Sequence, residues 1–175
     1  MINKWLIVIY ISFYLFKGFL YFSKFDTYTR LDIGKGSAFL FYTSSHKVVF
    51  FDASSSYEAD GYLFDQMPFD CLISSVVIPA INSRILEALR RIKLRCLFGT
   101  VYTNKIPEGV IDLNYKILPT GTEFSFDGIK FKLLASKVLL VNSDSYNFIL
   151  VGNPKLLNSS ILQEYQAQII PYKDY

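Results

Sequence analysis

A chain of 175 residues has room for one hydrophobic core and a small appendage, not for two full domains. Hydrophobic residues make up 51% and aromatics 17%, against a net charge of only +3, which favours neither a dedicated nucleic-acid surface nor an acidic partner. A single histidine excludes any site built from several imidazoles within this chain.

Residues 5–22 read WLIVIYISFYLFKGFLYF, with Lys17 the only charge. About 20 apolar residues cross a bilayer core of roughly 30 Å, so this run suffices if Lys17 snorkels or lines a partner. A signal peptide is the rival, with Lys4 as its basic start, but Tyr21-Phe22-Ser23-Lys24 puts bulk where cleavage needs small residues. A core helix would need a polar face, and there is none. The expectation is a membrane anchor and link over residues 1–26, touching lipid through residues 5–22, and a soluble domain over residues 27–175. Lys4 and the amino terminus balance Lys24, Arg30 and Lys35, so charge does not orient the helix.

Residues 30–52, RLDIGKGSAFLFYTSSHKVVFFD, organise the rest. Asp32-Ile33-Gly34-Lys35-Gly36 is a tight acidic turn, followed by an apolar run, a polar turn holding His46, and a second apolar run stopped by Asp52. This predicts strand, loop, strand, turn, strand, with Asp32 and Asp52 as turn-capping carboxylates. Residues 53–67 read as a surface loop with a turn of helix, its acids Glu58, Asp60 and Asp65 solvated. Residues 71–78, CLISSVVI, form a buried strand. Asn82 or Ser83 then caps a helix whose Ile85, Leu86, Leu89 and Ile92 share one face. Arg84, Arg90, Arg91 and Arg95 lie elsewhere on it and at its carboxyl end, where cations suit the helix dipole. They are the candidate contact for phosphate or anionic lipid. Cys71 and Cys96, both in apolar runs and without a CxxC spacing, read as two buried thiols.

Residues 95–101 read as a strand, followed by a loop holding Pro107 and Gly109. In EFSFDGIKFKLL apolar and polar residues alternate around Asp127-Gly128, which predicts a hairpin with a type I′ turn. Strands follow at 138–141 and 146–151, separated by Asn142-Ser143-Asp144-Ser145. Ser160 and Gln163 form a capping box before a short helix at 161–166, and a last strand begins at Gln168.

The order of these stretches resembles the metallo-β-lactamase domain of ComEC-type competence proteins. Asp32, Gly34, Gly36 and Asp52-Ala53 match that family's opening scaffold turn, while Lys35, Ser37 and Ser54 depart from it. The resemblance implies an α+β fold, a metallo-β-lactamase-like αββα sandwich left incomplete, preceded by one N-terminal transmembrane helix. It also implies that the first metal-ligand group falls on Pro79-Ala80-Ile81-Asn82-Ser83-Arg84. Zinc and manganese need imidazole, carboxylate or thiolate donors, and none stands at Pro79, Ile81, Ser83 or Arg84. Asn153 replaces the bridging aspartate of a Thr-Gly-Asp strand end, and Tyr172 falls where a late histidine is expected.

The expectation is therefore a truncated, catalytically silent domain without cofactor. It would sit in the cell membrane as a single-pass protein and act in binding or scaffolding, with DNA or a membrane channel subunit as partner. Two rivals stand beside it. One is a metal-dependent phosphodiesterase or nuclease with carboxylate ligands such as Asp32, Asp52 and Asp144. The other is a structural remnant without a partner.

Overall fold

Alternation of apolar residues along the central strands decides the layers of this molecule. The computed structural model describes residues 4–32, 37–45, 48–52, 59–67, 71–108, 112–135, 137–151, 164–165 and 167–171. After helix α1 (Lys4–Phe22) come β1 (Thr27–Asp32), β2 (Ser37–Tyr42), β3 (Val48–Asp52), α2 (Ala59–Gln66), β4 (Leu72–Ile78), α3 (Ser83–Lys93), β5 (Leu97–Thr103) and β6 (Asn114–Ile117). Then follow β7 (Glu123–Phe126), β8 (Ile129–Ala135), β9 (Val138–Asn142), β10 (Asn147–Val151) and β11 (Gln168–Pro171).

The first six strands form one sheet in the order β1-β2-β3-β4-β5-β6, and the rest form a second in the order β11-β10-β9-β8-β7. β1, β2 and β3 pair antiparallel; β3 to β6 run parallel. Parallel neighbours need a crossover, and α2 and α3 supply two of them. Every residue of β2 is buried because the strand is covered on both faces. Ala38, Leu40 and Tyr42 point to the helices, where they join Leu63, Met67, Ile85, Leu89 and Ile92. Phe39 and Phe41 point to the second sheet and meet Ile129, Phe131, Leu139 and Val141. Burying each such aromatic is favourable by about 1.5–3 kcal/mol. A third, smaller cluster on the outer face of the second sheet holds Val138, Ile149 and Val151, with Tyr165 packed against it.

Asn82 caps α3, its Oδ1 accepting from the Ile85 N–H at 3.0 Å. Asp127 and Gly128 have φ of 49° and 89°, the pair of positive values that the expected type I′ hairpin turn requires. At Gly99 a Cβ would overlap the Ser74 carbonyl of the neighbouring strand, so only glycine lets β5 lie this close to β4.

Four expectations change. Cys71 and Cys96 are not two thiols but a disulfide, with Cα atoms 4.5 Å apart. β4 and β5 are parallel neighbours that start level, Leu72 opposite Leu97, so the residues just before each strand stand side by side. The strand expected from residue 95 begins at Leu97, because the Arg95 and Cys96 N–H groups still donate to the Ile92 carbonyl. The expected turn of helix within 53–67 is the eight-residue α2. β6 was expected as loop; it is an exposed edge strand without the alternation that marks a half-buried one. Of the short helix expected at 161–166, only Glu164 and Tyr165 lie among the described residues, and both are helical; the capping box Ser160 and Gln163 lies outside them.

α1 is long and apolar enough to cross a membrane, a test that a signal sequence also passes. Tyr21 is its only buried residue, and it belongs to the core beneath the helices.

Candidate functional site

The strand register brings the carboxyl ends of β1, β3, β4 and β5 to one edge of the sandwich. Asp32 lies opposite Ser37, Asp52 opposite Ala38, Phe51 opposite Val77, and Ile78 opposite Thr103. Asp32 and Asp52 therefore flank β2 at the same end, their backbones two strand spacings or roughly 10 Å apart. Asp144 is not with them. It sits two residues before Tyr146, whose ring meets that of Tyr28 at 5.4 Å. Tyr28 is four residues from Asp32 along β1, about 13 Å away at the strand rise. The three carboxylates of the hydrolase reading are thus split between opposite ends of the molecule.

Beside Asp52, the loop after β4 carries residues 79–82 into the start of α3. Pro79 and Ile81 are buried, whereas Ser83 and Arg84 are exposed. The Ile81 N–H donates to Asn104 Oδ1 at 3.3 Å, and the Thr103 hydroxyl donates to the same oxygen at 3.4 Å. One amide from the loop after β5 therefore holds the loop after β4, a brace that nothing in the sequence signalled. Between these loops lies an open groove of about 310 Å³, whose polar lining is Asn82, Ser83, Lys105 and Glu108.

The four arginines do not form one patch. Arg84 and Arg91, seven residues apart, share a side of α3, and Arg95 follows just beyond its C-cap Leu94. Arg95 lies 3.8 Å over the Phe64 ring of α2. Arg90 is on another side, 3.5 Å from Glu87 and close enough to the β6 phenol of Tyr115 for its charge to oppose the rise that burial causes there. Lys93 also turns that way, donating to the Asp112 carbonyl.

At the far end of the sandwich, burial pushes the Tyr146 phenol up to about 12; the Ser143 hydroxyl pulls it down, and the negative charge of Asp26 adds to the rise. Ser45, in the β2–β3 turn, donates its backbone N–H at 3.1 Å and its hydroxyl to Asp127 Oδ2, which ties the two sheets together.

No protein-family model and no curated protein sequence matches the chain. Solved structures do. Zn²⁺-bound PqqB from Methylobacterium extorquens superimposes with a TM-score of 0.56 at 11% identity, over 73% of this chain and 53% of PqqB. A HARLDQ-motif mutant of a metallo-β-lactamase from Cronobacter sakazakii gives 0.51 at 12% identity, over 79% of this chain and 67% of that one. The chain has the metallo-β-lactamase fold. The Flv1 flavodiiron core from Synechocystis gives 0.50 at 11% identity, over 74% and 39%. The chain thus spans about half the length of PqqB.

The family resemblance places the first metal-ligand group in the loop after β4, and the described residues of that loop do not offer a fitting donor set. Position 79 is a buried proline and position 81 a buried isoleucine. Asn82 spends its carbonyl on the helix cap, and Arg84 brings positive charge. Both cysteines are in the disulfide, so neither offers a thiolate. Among the described residues no three His, Cys, Asp or Glu side chains converge. Gly34, Gly36, His46, Asn153 and Tyr172 lie outside the described residues.

Proposed function

We propose that this chain is a membrane-anchored, non-catalytic domain of metallo-β-lactamase fold, related to the ComEC-type DNA-uptake proteins and acting in binding or scaffolding. One observation carries the reading. The loop after β4 lies at the edge of the sandwich, with the Asn82 amide taken up by the α3 cap and the Ile81 N–H held by the Asn104 amide. The ComEC relation rests on the order of sequence landmarks around Asp32 and Asp52.

α1 is the single membrane span in this reading. The Cys71–Cys96 disulfide supports a soluble domain on the oxidising face of the membrane, since such bonds persist there and are reduced in the cytosol. The partner is DNA or a channel subunit, met by the stripe of Arg84, Arg91 and Arg95, with Arg90 outside it.

The test uses the full chain in detergent micelles. With zinc or manganese and a phosphodiester chromogen there should be no turnover, while duplex DNA should be retained at low salt and released as salt rises. Replacing Arg84, Arg91 and Arg95 by alanine should weaken retention and flatten its salt slope, and Arg90→Ala should do so less. Metal-dependent hydrolysis would overturn the non-catalytic reading; retention unchanged in the triple variant would remove the stripe from it.

A further inference from the structure

The junction between α1 and the domain has no slack. α1 ends at Phe22 and β1 begins at Thr27, and the first two of the four residues between them are tied down. The Ser23 N–H donates to the Phe19 carbonyl and the Lys24 N–H to that of Tyr21. Tyr21 is 7% exposed, its ring 6.4 Å from that of Tyr42. The Lys24 ammonium lies 5.3 Å from the same Tyr42 ring and donates to Gln66 Oε1 of α2 at 3.4 Å. The last turn of the span is therefore part of the domain core, and the domain cannot lift away from the bilayer on a linker.

Large aromatic side chains surround that junction. Phe25 is 53% exposed, and Tyr62 of α2 is 47% exposed. Tyr62 stands one helical turn before Gln66, so it shares the side of α2 that meets Lys24. An exposed phenylalanine and tyrosine beside a lysine are the side chains that settle at a lipid–water interface, with rings among the upper acyl chains and the ammonium at the phosphates.

We propose that the domain is seated on the membrane surface, with Phe25 and Tyr62 embedded at the interface and Lys24 on a headgroup phosphate. This rests on α1 being a membrane span. Ile169, 37% exposed on the outer face of the second sheet, lies across the sandwich from α2, and the seat would hold it off the bilayer.

Trp5 is the only tryptophan, which makes the test direct. The full chain is reconstituted in vesicles of phosphatidylcholine and phosphatidylglycerol brominated near the ester end of the acyl chains. Bromine quenches tryptophan on contact, so Trp5 in the native chain reports on the span. In a Trp5→Phe background, Tyr62→Trp and, separately, Phe25→Trp report on the seat, and Ile169→Trp on the far face. The seat predicts that Tyr62→Trp and Phe25→Trp each lose most of their emission while Ile169→Trp keeps its own. Quenched Trp5 with both seat variants bright would overturn the seat and leave the anchor standing. Unquenched Trp5 would remove the anchor and the seat with it. Quenching of Ile169→Trp as well would overturn the orientation.

Discussion

Between the sheets, Phe39, Phe41, Phe51 and Phe131 are wholly buried and ring meets ring, Phe124 stacking on Phe131 at 5.1 Å and Tyr102 on Phe124 at 4.1 Å. At the loop edge, Ser83, Arg84 and Lys105 are exposed, and the amides of Asn82 and Asn104 hold backbone N–H groups. The two regions answer to different demands. The interior must match shape and volume on both faces of every strand, so its apolar pattern is tightly constrained. The edge need only satisfy its backbone, and amides do that as well as carboxylates or imidazoles would. A fold can thus keep its sandwich while the chemistry of its loops changes completely.

Damage to the interior should cost most. Phe131→Ala should cost about 3–5 kcal/mol and lower the midpoint of denaturant unfolding accordingly. Opening the disulfide with Cys71→Ala and Cys96→Ala comes next, at about 3 kcal/mol for a loop of this length, read by the same titration with and without reductant. At the edge the effects should shrink. Asn82→Ala removes the α3 cap and should cost about 1 kcal/mol, whereas Ser83→Ala should stay within about 0.5 kcal/mol. An edge substitution as costly as Phe131→Ala would dissolve the distinction.

One further effect shows only at alkaline pH. The Tyr146 phenol, held at about 12 in the folded state, returns to its ordinary value of 10.0 on unfolding. Above that ordinary value the unfolded chain releases the proton first, so the stability Tyr146 contributes is complete below pH 10 and is lost between there and 12. Burial shifts Tyr42 and Tyr115 in the same direction. Tyr146→Phe should make stability fall less steeply over that alkaline window. An unchanged slope would mean that this phenol is solvated.

Local signals were legible in the sequence. Asp127-Gly128 specified the hairpin turn because few residue pairs accept two positive φ values, and Asn82-Ser83 marked the start of α3 because either side chain can replace a missing helical acceptor, a part Asn82 takes. The apolar repeat Ile85, Leu89, Ile92 located the buried face of that helix. What depended on register was not legible. The disulfide follows from β4 and β5 starting level, which no spacing of cysteines reveals. The Asn104 brace joins two loops that meet only once the parallel strands are aligned. The division of the arginines lay partly in view, since Arg90 falls off the seven-and-four spacing of Arg84, Arg91 and Arg95, but the partners Phe64 and Tyr115 come from other elements. β6 was missed because an exposed edge strand carries little alternation.

In the proposed reading the sandwich is stable without a bound metal. This is tested most directly by elemental analysis of the full chain, purified in detergent without chelators, alongside its thermal unfolding. One cooperative transition is expected, with zinc and manganese far below one equivalent per chain. A cooperative fold that carries one or two equivalents, and loses its transition when a chelator strips them, would contradict it.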